Sequence, residues 1–429
     1  MLANELHEAI CELPIIDVHS HLRRDGMCAR DAGGVMFYHM LQYPLRAAGM
    51  DERALWPARG SKADPPYKAS LPYWPAVANT SFGWGLRTIL RELYDFDGPI
   101  TAKSLPRLRQ AFDQKAAEGD WGEQIRTEAN VVRILSSQTD VAPLAAGQND
   151  KGVRFTVESH PSGGGSELLT WPQRLERIAG PDGGPIATAA QLRRRVAEFY
   201  EQFDWSDKHA LVSWVSSQAD FRPADDGAID ALLGDCAAGR DLGPEASRLL
   251  EAALLRAVCQ AVRGKTAVFQ ICYGTQYLTP DGAHPVARAA PQFASGFGRL
   301  AGEFPDIHFN ILSGFEIDEP VWCSLCLGYA NVSLAGYWWG MFYPSVMHGA
   351  WHRRLDVVPT SRLCGFFSDG WCIDWTYARV RITQRVLANV LAEKVQQGFY
   401  SPEQAVAVAH EILFETPRRI FLPDEQIDA

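Results

Sequence analysis

The chain has 429 residues, 47% of them hydrophobic, and its 41 Lys and Arg against 51 Asp and Glu leave a formal net charge of −10. That much apolar material in that length supports a large buried core and excludes a disordered chain, a fibrous repeat and a disulfide-stapled miniprotein. The negative balance argues against a nucleic-acid backbone or an anionic membrane surface as partner, while leaving room for a local basic pocket that takes a small anion.

Short apolar runs recur along the chain. The first is Leu13 to His19, followed by Val131 to Leu135, Val153 to Val157, Ala210 to Val215, Thr266 to Cys272, Ile307 to Leu312, Val332 to Ala335 and Leu363 to Phe367. Each is too short for a typical helix and many are rich in β-branched or aromatic residues, so eight strands are expected. Helix-like segments lie between them, among them Ile186 to Phe203, Ala246 to Arg263, Ala289 to Glu303 and Val380 to Gln397. Strand followed by helix, eight times, is the pattern of an α/β (β/α)8 TIM-type barrel. Such a barrel needs only about 250 residues. The surplus falls mainly in 22–128, expected to be a mostly helical cap inserted after strand one, so that the barrel comprises 1–21 and 129–429. A polar, Gly-rich excursion from Gly163 to Pro185 follows strand three. At the end, Ser401 can cap a helix whose first position is Pro402.

The N-terminus has no basic stretch leading into a long apolar run, and no window approaches the roughly 20 apolar residues of a membrane span, so a cytoplasmic location is expected. The nine cysteines are scattered and often sit in apolar strands, as a reducing compartment allows. Cys323 and Cys326 have CxxC spacing, but with no second pair nearby and apolar neighbours they read as core. Gly163-Gly164-Gly165 lacks the pattern of a phosphate loop.

The strongest chemical signal is Asp17-Val18-His19-Ser20-His21 at the end of strand one. Alternation puts His19 and His21 on one face of an extended chain, where two imidazoles can share a divalent metal. The second is Asp369, in Phe367-Ser368-Asp369-Gly370 at the end of strand eight. Strands one and eight are neighbours in a closed barrel, so Asp369 can reach the same metal and also handle a proton. Zinc suits this set, or manganese if oxygen ligands complete it. Asp17 is placed to orient a metal histidine or to stabilise strand one.

These residues resemble the amidohydrolase superfamily, and within it the uronate isomerase family. His39, followed by Tyr43-Pro44-Leu45-Arg46-Ala47-Ala48-Gly49, is similar to that family's His-Tyr and Arg-x-x-Gly region. Gln270 to Gly274 stands at the strand-five position, Gly336-Tyr337-Trp338-Trp339 is similar to its Gly-Trp-Trp segment, and Glu415 to Phe421 to its terminal helix ending. The resemblance implies His39 as an acid/base or hydroxyl-orienting residue, Arg46 as the guanidinium for a substrate carboxylate, and Tyr273 as a substrate contact. There are departures. The family's Ser-Arg-Ser after the eighth-strand Asp is here Gly370-Trp371-Cys372, its strand-five His is Cys272, and its third-strand Phe-Arg-Pro-Asp is replaced by Thr156-Val157-Glu158-Ser159-His160. His160 is the expected substitute for the missing third-strand Arg.

The 13 Trp divide into two groups. Trp338, Trp339 and Trp371 follow strands seven and eight and can line a sugar pocket, whereas Trp74, Trp84 and Trp121 are expected to pack the insertion. The expectation is a metal-dependent uronate isomerase acting on a small anionic sugar acid, with a homo-oligomer compatible with the sequence. A metal-dependent hydrolase of an amide, ester or lactone is the first alternative, and a silent sugar-acid binding protein the second.

Overall fold

The computed structural model describes residues 2–23, 26–55, 65–138, 152–163, 169–206, 208–216, 218–277, 285–287, 290–314, 316–338 and 343–427. Seven parallel strands are present among them: β1 (Ile15–Ser20), β2 (Val131–Gln138), β3 (Val153–Glu158), β4 (Lys208–Trp214), β5 (Val268–Tyr273) and, after a short antiparallel hairpin of β6 (Thr275–Tyr277) and β7 (Pro285–Ala287), β8 (His308–Ser313) and β9 (Val332–Tyr337). The sheet order β1-β2-β3-β4-β5-β8-β9 is that of a barrel wound in sequence. β1 and β5 are buried at every position, because one face meets the barrel interior and the other the helical layer. The hairpin β6–β7 was not expected from the sequence.

The eighth apolar run closes the barrel without forming a ladder. Leu363 makes a single parallel bridge to Leu334, and the Cys364 amide donates to the Leu334 carbonyl at 2.8 Å. On the other side the Val18 amide reaches the Phe366 carbonyl at 3.4 Å, the Asp369 amide donates to the His19 carbonyl at 2.9 Å, and the His21 amide to the Gly370 carbonyl at 2.8 Å. Thus 363–370 lies between β9 and β1 as a (β/α)8 barrel requires, held by separate hydrogen bonds. Inside the barrel Gln270 donates to the Val18 carbonyl at 2.8 Å and approaches Asn310 Oδ1 at 3.2 Å, while Asn310 donates to Ser333 Oγ at 2.9 Å.

The expected helices are present with shifted ends: Ala189–Glu201, Pro244–Val262, Pro291–Glu303 and Ile373–Gln396. The last starts earlier than expected because Ile373 and Trp375 are also buried. Between β1 and β2 the named elements among the described residues are helices, most extensively Ser81–Tyr94 and Leu105–Ala116, with the short helices Tyr67–Ser70 and Trp74–Val77 in the Pro- and aromatic-rich run between them and β1. Trp74 and Trp121 are buried there, their indole N–H groups meeting Ser70 Oγ and the Tyr94 hydroxyl. The excursion after β3 holds a helix, Trp171–Ala179, started by a Thr170–Gln173 capping box. Ser401 caps Pro402–His410 as expected, and a π turn, Glu411–Glu415, carries the chain into Thr416–Phe421. Cys323 and Cys326 are buried, unbridged thiols on the helix Glu319–Gly328.

Candidate metal centre

At the C-terminal end of the barrel, β1 delivers His19 and His21 while the closing segment delivers Asp369. Potential ligand atoms of the three lie within 4.8 Å of one another. His21 Nε2 is 2.9 Å and His19 Nε2 3.5 Å from the same Asp369 Oδ1, and the two rings meet edge to face with centroids 4.9 Å apart. Two imidazole nitrogens and one carboxylate oxygen converging in a largely buried place form a donor set that fits one divalent ion. The aspartate reaches this point from a left-handed backbone, φ 51°, a conformation that Asp tolerates better than most residues.

The neighbours orient these groups. β3 brings Glu158, whose Oε2 lies 3.1 Å from His21 Nδ1, which turns the opposite nitrogen toward Asp369. β2 brings Ser137, whose Oγ is 3.4 Å from His19 Nδ1. Burial disfavours a charged His21, but the carboxylates of Glu158 and Asp369 outweigh it and push the ring up to about 10. Burial likewise works against charge on Glu158 and Asp369, yet the histidines hold Glu158 below its ordinary value and Asp369 well below. A proton on His21 is therefore held where a metal cation would compensate the same two carboxylates. The fully buried Arg379 adds positive charge, with Nη1 3.9 Å from Asp369 Oδ2.

Asp17 serves the backbone: its Oδ1 accepts from the amides of His19 at 3.3 Å and Ser368 at 2.8 Å, joining β1 to the closing segment. Full burial pushes its carboxyl up to about 7. Of the two roles expected for it, this geometry is that of strand stabilisation. Gly370 has a steric reason to be glycine, since a Cβ there would sit 2.5 Å from Thr376 Oγ1.

The remaining sequence candidates divide. His39 opens the helix His39–Ala47 and its ring packs on Trp371 at 4.6 Å; Trp371 in turn lies 6.1 Å from the His21 ring, so the indole stands between the two histidines. The Tyr38 hydroxyl donates to the Asp369 carbonyl at 3.0 Å. Trp338 is buried edge-on against Trp214 at 4.6 Å, and Trp339 lies outside the described residues. Arg46 pairs with Glu52 at 2.9 Å. Two expectations are corrected. His160 hydrogen-bonds Ser162 Oγ at 2.8 Å, and the residue of its segment at the histidine pair is Glu158, two positions earlier. Tyr273 packs outward on Phe293 and Trp322, its hydroxyl donating to the Ala290 carbonyl at 3.1 Å and to Asp318, because alternation along β5 sends Cys272 the other way. The Cys272 thiol is raised well above its usual range by burial, then by Glu158 and Asp369, which places it beside the site as a neutral group.

Similar solved structures are barrels of this kind. The chain matches a uronate isomerase from Thermotoga maritima at a TM-score of 0.82 with 16% identity, covering 98% of this chain and 97% of that one. A glucuronate isomerase from Caulobacter crescentus matches at 0.78 with 17% identity, covering 100% and 95%. A uronate isomerase from Bacillus halodurans matches at 0.70 with 16% identity, covering 98% and 96%. No family model and no curated protein matches the sequence. The class defined by fold and donor set is the (β/α)8 barrel with a metal-type site at its C-terminal mouth. More narrowly, the fold over nearly the whole chain is the one solved in these uronate isomerases.

Proposed function

We propose that the protein is a metal-dependent aldose–ketose isomerase of a uronate such as glucuronate or galacturonate, moving a proton between C2 and C1. The observation that carries this reading is the convergence of His19, His21 and Asp369 at the mouth of a barrel whose fold runs nearly end to end with uronate isomerases. His19 and His21 through Nε2, with Asp369, would hold the ion, zinc or manganese, which when bound supplies Lewis-acid stabilisation of charge on substrate oxygen. Glu158 and Ser137 keep the imidazoles turned for that purpose. Asp369, held ionised, is the proton acceptor nearest the histidine pair, and His39 across Trp371 is the second acid/base group. In this reading Arg46 exchanges Glu52 for the substrate carboxylate, Trp338 and Trp371 offer ring faces to the sugar, and 22–128 covers the mouth.

The test is turnover of glucuronate and galacturonate by metal-replete protein in heavy water. Ketouronate carrying solvent deuterium at C1, and recovered aldouronate carrying it at C2, are expected, with Asp369→Asn lowering kcat by about 10²-fold or more. No turnover of uronates, together with entry of labelled water oxygen into a new carboxylate from an amide, ester or lactone, would overturn the isomerase in favour of a hydrolase. Tight uronate binding with turnover of none of these would instead identify a binding protein.

A further inference from the structure

A second group of metal-ligating side chains, His348, His352 and Glu393, stands apart from the barrel mouth. The helix Pro344–Val357 follows β9, and the four-residue spacing places His348 and His352 about one turn apart on one face. Their rings lie 4.9 Å apart. Glu393 comes from the last turns of the neighbouring helix Ile373–Gln396, and its two oxygens lie 2.9 Å from His348 Nε2 and 2.8 Å from His352 Nε2. Both imidazoles thus present the same nitrogen to one carboxylate. The side chains are 38%, 23% and 43% exposed, so an ion can enter from solvent and the groups can adjust. Lys394, the adjacent cation on the second helix, is paired with Asp356.

Two imidazoles and a carboxylate are the donors of a borderline transition metal such as zinc. Ligands at about 2.0–2.1 Å around a tetrahedral ion stand roughly 3.4 Å from each other, so an ion fits after these side chains part by about half an ångström. We propose that His348, His352 and Glu393 form a second divalent-metal site of the zinc class, which clips the two helices together and leaves a coordination position open to water. The helix so anchored is the one that starts immediately after the closing segment bearing Asp369.

The experiment is a zinc titration of chelator-stripped protein against a chromogenic competitor, with metal analysis after dialysis. Wild type is expected to bind about two equivalents, and His348→Ala and His352→Ala about one each, with unchanged circular dichroism. His19→Ala is expected to keep one equivalent and to show a zinc-dependent rise in Tm that is lost when His352→Ala is added. Equal zinc stoichiometry in wild type and both surface variants would overturn the site. Should wild type bind a single equivalent that His19→Ala keeps and His352→Ala loses, the surface site stands and the barrel-mouth metal fails, so the two readings fail separately.

Discussion

His308 and His160 show how single half-buried side chains set a response to acid. Burial, aided by Arg362, lowers His308 from its ordinary 6.5 to about 4, and burial with Arg174 lowers His160 to about 3. Between those values and 6.5 the unfolded chain takes up protons that the folded chain refuses. Their contribution to stability is therefore complete above about pH 6.5 and is lost as the pH falls toward 4 and 3. Urea unfolding between pH 7 and 4.5 is expected to show falling stability, with a shallower fall in His308→Gln. An unchanged slope in that variant would show that its imidazole titrates alike in both states. His308 Nε2 lies 2.8 Å from Ser333 Oγ, so the variant should be compared with its own value at pH 7.

Between elements, one buried ion pair ties the helix Glu319–Gly328 to Pro344–Val357. Arg354 and Glu319 are both essentially inaccessible, Arg354 donates a second bond to Glu319 Oε2 at 3.3 Å, and its guanidinium also meets the Ala335 carbonyl of β9. Removing one member strands the other's charge, so Glu319→Ala is expected to lose about 3–5 kcal/mol in denaturant unfolding, whereas a loss near that of an exposed pair would place the guanidinium in water. Such long-range pairs carry no periodicity, which is why this one was not legible in the sequence. Strand and helix alternation was legible, because fully buried strands read as short apolar runs, and so were His19, His21 and Asp369, because a parallel barrel brings strand ends together. Glu158 was less so: alternation marks it and His160 as sharing a face only while the strand lasts, and β3 stops at Glu158. Arg379 could be named from the sequence only as one of several unranked arginines beside Arg23, Arg24 and Arg353, because a place inside a long helix gives no sign of which way its side chain faces. The His348-x-x-x-His352 spacing is visible in the sequence, but its carboxylate partner comes from a different helix.

At the scale of the whole molecule, the barrel is paired by ladders from β1 through β9 and by separate bonds where 363–370 returns to β1. This makes a seam, and the residues that close it belong to or adjoin the candidate metal centre: the Asp369 amide bonds the His19 carbonyl, while Asp17 holds the Ser368 amide. Hydrogen–deuterium exchange is expected to be faster at the amides of Val18, Cys364 and Asp369 than within β4 and β5, and to slow there when zinc is added. Uniform exchange around the barrel, unaltered by zinc, would remove the seam. An ion gripped by His19 and His21 on one bank and Asp369 on the other would stitch the circle shut. Losing it would then empty the mouth and loosen the hoop in the same event, so that demetallation and local unzipping would proceed at one rate.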